Sequence, residues 1–311
     1  MSTRAKTDSG NDFSNESGVD PGARASKPVN TWTDVLLRFK NNKTSVAGLI
    51  IFLIICLACF LAPYITRWDY TAINAKEVML TPSFQHLLGT DNLGRDLFSR
   101  LLHGGRVTLR IACVSTVLAA VVGCVIGTLA GYFGGRTDFL ISPVLDILAS
   151  VPMFLLIIVF EATLGWGKGY FMYAMAIAAI PQFARLTRAT VMNIMGCEYI
   201  EAARALGVGN TEIILRHVLH NAAPPLVVRF TTSLAEALVT CTIMGYVGIG
   251  INPPTPEWGS IVYYGKAYFR TRPHFIIIPC IVIIICVISI GVFGDGLRDA
   301  MDPREQVTSN D

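Results

Sequence analysis

The chain has 311 residues, of which 52% are hydrophobic and 15% charged. Soluble domains carry about 25% charged residues, so an ordinary cytosolic globule is excluded. The formal net charge of +3 is too small, and too scattered, for a nucleic-acid-binding surface. What charge there is clusters between long apolar stretches, the pattern of an all-α polytopic membrane protein.

Residues 1–34 are rich in Ser, Asp, Asn, Gly and Lys and lack an apolar run, the composition of a disordered tail. No short apolar core precedes the first hydrophobic segment, so that segment is expected to stay in the membrane. Residues 35–66 form a lead-in and a first span over 46–65, close to the roughly 20 residues that cross a bilayer core. Residues 67–106 are too polar to cross lipid and read as an outer loop. Five further spans are expected in 107–304, near 107–133, 139–164, 169–186, 224–249 and 275–293. A polar segment, 187–221, lies between the fourth and fifth spans, and 305–311 is a tail. Six spans return the C-terminus to the side of the N-terminus. The lysines and arginines of the N-terminal tail, with Arg136, Arg185, Arg188, Arg204, Arg216, Arg298 and Arg304, outnumber those assigned outside, which places both termini in the cytoplasm.

Seven of the eight cysteines sit inside apolar runs, where a thiol behaves as a small hydrophobe. Ala119, Gly123, Gly127, Gly131 and Gly135 recur every fourth residue along the second span. Such a ridge lets helix backbones approach closely in lipid, either inside the subunit or against a partner subunit. Asp146, Glu161 and Glu236 lie in or near apolar spans. Acids there line a watery path or bond between helices, or they are wetted at a span end. Glu161 fits the wetted position.

The segment from Glu198 to His220 is the most informative. Glu201 to Leu206 carries strong helix formers, and Gly207 and Gly209 interrupt it. Asn210 or Thr211 can cap a second helix, to which Ile213, Ile214, Val218 and Leu219 give an apolar face. The result is an amphipathic helix–turn–helix outside the membrane, shaped to dock into a groove on another protein or to lie on the bilayer.

Glu201-Ala202-Ala203, three residues, Gly207, and Leu219 twelve positions later resemble the EAA loop of ATP-binding-cassette (ABC) importer permeases. His220 stands where that family has Pro. Gly89-Thr90-Asp91-x-x-Gly94-Arg95-Asp96, Gly131-Tyr132-Phe133-Gly134-Gly135, the Gly248 to Gly259 run containing Pro253, Pro254, Pro256 and Trp258, and Gly294-Asp295-Gly296-Leu297-Arg298-Asp299 resemble the C-type permease of dipeptide and oligopeptide importers. The resemblance covers about residues 35–304. It implies a type I ABC importer permease fold with six transmembrane helices in a bacterial inner membrane. It also implies a homologous second permease subunit, two ABC ATPase subunits seated on the EAA loops and an extracytoplasmic peptide-binding protein. Nickel and glutathione importers share the family.

No G-x-x-x-x-G-K-[ST] phosphate loop, H-E-x-x-H or G-x-S-x-G occurs, so no catalytic residue or metal ligand is assigned to this chain; the resemblance implies that ATP and Mg belong to the ATPase subunits. Asp91, Arg95, Asp96 and Trp258 are candidates for docking or gating on the outer side; for Gly94 and the Pro253 to Pro256 run a turn suffices. An ion-gradient-driven carrier, which needs no ATPase, is the alternative from a different class.

Overall fold

The computed structural model describes residues 31–164, 170–251 and 253–301. The tail expected before residue 30, Gly165 to Lys168 and the 305–311 tail lie outside the described residues. The described chain is helical, with one isolated bridge between Thr90 and Asp96.

A lead-in helix α1 (Thr31–Asn41) meets α2 (Lys43–Phe60) at Asn42, whose side chain accepts the Ser45 amide to cap α2. One turn, α3 (Ala62–Ile65), ends the first span. The outer loop then leads into α4 (Leu97–Phe133), 37 residues long and therefore about 55 Å from end to end. Next come α5 (Gly135–Ser150), α6 (Met153–Leu164) and α7 (Phe171–Met195). A short α8 (Glu198–Ala205) precedes α9 (Asn210–Glu212), a π-helical stretch (Ile213–Val218) and α10 (Leu219–Val247). α11 (Trp258–Gly265) and α12 (His274–Met301) complete the order.

Of the six expected spans, four meet the length and apolarity of a crossing helix, and the other two take a less regular form. Among the described residues, α2, α4, the continuous rod Asn210–Val247 and α12 are long and apolar enough to cross a membrane. The third expected span is instead two helices, α5 and α6, meeting at 97°. Pro152 causes the break: the residue before a proline is driven out of the helical region, and Val151 is extended at φ −87°, ψ 130°. The fourth, α7, falls outside this set because Gln182, Arg185 and Arg188 occupy its second half. It works as a core helix, burying Phe171, Met175, Phe183 and Ala184.

The glycine ridge explains how α7 is held. A Cβ on Gly123 would sit 2.5 Å from the Phe183 Cβ, and one on Gly127 would sit 2.4 Å from the Ala184 carbonyl oxygen. A Cβ on Gly131 would sit 2.8 Å from the Arg188 carbonyl oxygen. The ridge therefore closes on α7 of the same subunit. Gly135 leaves the ridge, because α4 ends at Phe133 with Gly134 as its C-cap. At α2 and α12, Ser45 and Gly48 face Gly296 and Ser289 in the same small-to-small manner. The outward faces of α2, α4 and α12 stay apolar at Ile54, Leu57, Val121, Val125, Ile284 and Ile288, as lipid-facing helices require.

Candidate functional site: a coupling hairpin, a cavity and an outer cap

α8 ends in a left-handed turn that accounts for the spacing of its signature residues. Gly207 has φ +80°, where a side chain is strained. Its amide donates to the Arg204 carbonyl at 2.9 Å, and the next amide, Val208, donates back to the Ala203 carbonyl at 3.1 Å. These two bonds are a Schellman cap, which closes a helix end and satisfies its orphan carbonyls. Ala203 is thus both the carbonyl that receives the cap and a small side chain packed inward.

The hairpin sits on a core of its own, built from Ile200, Ile213, Val218 and Ala222 with Val191 and Ile194 of α7 and Tyr132 of α4. Tyr132 joins both arms: its hydroxyl donates to Asn210 Oδ1 at 2.8 Å, and the Arg204 guanidinium lies 5.8 Å from its ring centre. Asn210 therefore receives Tyr132; Gly209 occupies the cap position, with no side-chain cap from Asn210 or Thr211. Asn221 donates to the His217 carbonyl at 2.8 Å and to the Tyr199 hydroxyl at 3.2 Å, fastening the second arm. Glu201, Ala202 and Gly207 are exposed, Leu219 is half-buried, and Leu206 is 84% exposed. Leu206 was not singled out from sequence, yet it is the most exposed apolar side chain of the hairpin's first arm. His220, in place of Pro, lies within the continuous helix, so the second arm runs straight into α10.

Midway along α10, Arg229 and Glu236 form an ion pair at 3.0 Å, and Arg229 also donates to Gln182 of α7. They line an open cavity of about 820 Å³ with Thr240 and aliphatic side chains of α6, α10 and α12. Asp146 pairs with Arg185 at 2.8 Å on the exposed side of α5 and α7. Glu161, expected to be wetted at a span end, is fully buried instead.

At the other end of α4, the four outer candidates face inward. Asp96 caps α4 by accepting the Ser99 amide at 2.7 Å and meets His86 Nδ1 at 2.9 Å. Asp91 accepts Arg95 Nε at 2.7 Å and the amides of Leu93 and Arg95. A Cβ on Gly94 would lie 1.9 Å from the Asn74 carbonyl oxygen, so the loop can close only on glycine. Trp258 is fully buried and donates from Nε1 to the Leu101 carbonyl at 2.9 Å. Its ring occupies the space left by Gly105, where a Cβ would lie 2.6 Å from it. None of the four offers a surface to a docking partner in this structure; they fasten the outer loop and α11 to the head of α4.

Glu257, not singled out from sequence, anchors α11. It accepts the amides of Gly259 and Ser260 at 2.8 and 2.9 Å and the Thr108 hydroxyl at 3.2 Å. Burial pushes its carboxyl up to about 7, against the pull of those donors. The sequence signal was present, a Glu three residues before Ser260, but it reads in reverse of the usual capping box, with the acid at the cap.

Residues 123–307 match the family described as binding-protein-dependent transport system inner membrane components, and residues 30–82 match the N-terminal transmembrane domain of oligopeptide transport permease C. The chain belongs to this permease family. It is 34% identical to the dipeptide transport system permease protein of Alkalihalophilus pseudofirmus, over 89% of this chain and 91% of that one. It is 34% identical to the oligopeptide transport system permease protein of Bacillus subtilis, again over 89% and 91%. The glutathione transport system permease protein of Pectobacterium atrosepticum is 36% identical over 89% and 93%. Among solved structures, the inward-facing MetNI methionine ABC transporter aligns with TM-score 0.53 at 23% identity, covering 65% of this chain and 96% of that one, which shows the type I importer permease fold. The permease is an integral inner-membrane transport subunit.

Proposed function

We propose that this permease forms one half of the pathway of a di- or oligopeptide ABC importer, with a homologous second permease forming the other half. Two ATPase subunits carry the ATP and Mg, one on each coupling hairpin, and an extracytoplasmic peptide-binding protein delivers substrate. Both termini are cytoplasmic. The observation that carries this reading is the hairpin: a capped turn exposing Glu201, Ala202 and Leu206, seated on the ends of α4 and α7. Force applied there reaches α7 through Val191 and Ile194, and α4 through Tyr132. Residues 187–221 are thus the coupling segment, 67–106 the outer cap, and 107–304 the permease core. Peptide as cargo is supported by the names of relatives matched over nearly their whole length.

The test is uptake of a labelled peptide into proteoliposomes holding the full assembly. Uptake should require ATP, the ATPase subunits and the binding protein, and should survive collapse of the ion gradients. Uptake that follows a gradient without ATP would establish the carrier alternative instead. The glutathione permease among the relatives makes a γ-linked tripeptide the second cargo to assay, by measuring what the cognate external protein binds.

A further inference from the structure

A charged pair inside a membrane span is costly unless it faces a cavity or a partner group, and Arg229 and Glu236 lie in the rod Asn210–Val247. Among the described residues lining the 820 Å³ cavity, they are the only charged side chains. Both remain accessible from it, with side-chain exposures of 23% and 49%. Arg229 Nη2 reaches Glu236 Oε2 at 3.0 Å and Nη1 reaches Oε1 at 3.4 Å, a two-pronged grip on a carboxylate. Its guanidinium is steadied by Gln182 and lies 6.0 Å from the Phe183 ring centre. The polar wall continues behind the pair: Gln182 and Glu236 also line a pocket of about 10 Å³, room for about one water molecule. Thr116 and Ser233, both buried, line that pocket too, and their hydroxyls have no hydrogen-bond partner among the described residues.

We infer that Arg229 is a carboxylate-reading station in the pathway, taking the free α-carboxylate of the passing peptide, with Glu236 as the group that occupies the guanidinium between substrates. This rests on the peptide-importer reading. A guanidinium suits the task because its planar fork matches a carboxylate with two parallel bonds, which an ammonium cannot do. Glu236, half exposed and lying two turns away on the same helix, can swing aside without leaving the cavity. Gln182, on the neighbouring helix, keeps Arg229 oriented when it does.

The experiment compares uptake of trialanine and its C-terminal amide by the complete importer in proteoliposomes, each rate divided by the amount of that peptide loaded on the binding protein. Arg229→Gln should lower trialanine uptake by about tenfold and leave the amide unchanged, so the acid-to-amide ratio collapses. Arg229→Lys, which keeps the charge but not the fork, should retain part of that ratio. Glu236→Gln should not lower it. Equal loss of both peptides in Arg229→Gln, or loss of the second permease on purification, means a structural or interface pair and overturns the inference. An unchanged ratio overturns it too. If the wild-type assembly imports neither peptide, the peptide reading fails and takes this inference with it, whereas wild-type uptake with equal losses fails the inference alone.

Discussion

A single methyl group added at Gly127 should damage this permease more than its size suggests. An alanine Cβ there would lie 2.4 Å from the Ala184 carbonyl oxygen, 2.7 Å from the Thr187 Cβ and 3.0 Å from the Arg188 amide nitrogen. All three belong to α7 backbone or to a stiff β-branched side chain, so none can swing away. Restoring ordinary contact requires α4 and α7 to part by about 1 Å, and overpacking of that kind costs about 1–3 kcal/mol. The intrinsic helix preference for Ala over Gly, about 1 kcal/mol, opposes this and trims the net loss. Gly291→Ala on α12 is the control: nothing lies within 4 Å of its Cβ, so only the helix preference remains. The assay is the temperature at which the detergent-purified permease loses its monodisperse chromatographic peak. Gly127→Ala should fall below the wild type and Gly291→Ala should match or exceed it. Equal thermal stability of the two variants would refute the close-packed ridge.

Other expectations follow from the two ends of α4. Trp258→Phe removes the bond to Leu101 and should cost about 1 kcal/mol, read as a lower unfolding midpoint with membrane insertion unaffected. Asp96→Ala removes the α4 cap and the His86 contact, and should cost about 1–2 kcal/mol in the same assay. Because the folded state raises the Glu257 carboxyl to about 7 from an ordinary 4.5, it favours the protonated form. The wild type should therefore lose stability as pH rises between those values and flatten above them, and Glu257→Gln should lack that slope. Tyr132→Phe, which cuts the bond to Asn210, should leave ATP hydrolysis in place while lowering peptide imported per ATP.

The helices were legible where one physical requirement dominated. The length and continuity of α2 and α12 marked them as spans, and the four-residue spacing from Ala119 to Gly131 marked a close approach, though not its partner. The break at Val151–Pro152 was readable in principle, since proline constrains the residue before it, but an unbroken hydropathy profile concealed it. The apolar first half of α7 was legible as the fourth span, whereas tertiary packing was needed to turn its polar second half toward α5 and α10. For Trp258 the sequence was ambiguous, because a tryptophan in a proline-rich loop can cap a surface or fill a core. The notch at Gly105, 153 positions earlier in the chain, decides it, and no local pattern connects the two. The hairpin turn was read correctly from Gly207, but the Tyr132–Asn210 bond joins residues 78 positions apart and lies beyond any local reading.

The central claim is that the hairpin transmits ATPase movement to the permease helices, and Gly207→Val tests it most directly. Among the described residues, none beyond the two adjoining ones comes within 4 Å of a Cβ at Gly207, so the main effect of the change is strain in the φ +80° turn, about 1–2 kcal/mol or more. In the reconstituted importer, peptide uptake and ATP hydrolysed per peptide are measured together with recovery of the ATPase subunits. The account predicts a permease that still inserts in the membrane but either loses its ATPase or hydrolyses ATP with peptide uptake reduced at least about tenfold. Unchanged assembly, uptake and stoichiometry would contradict it.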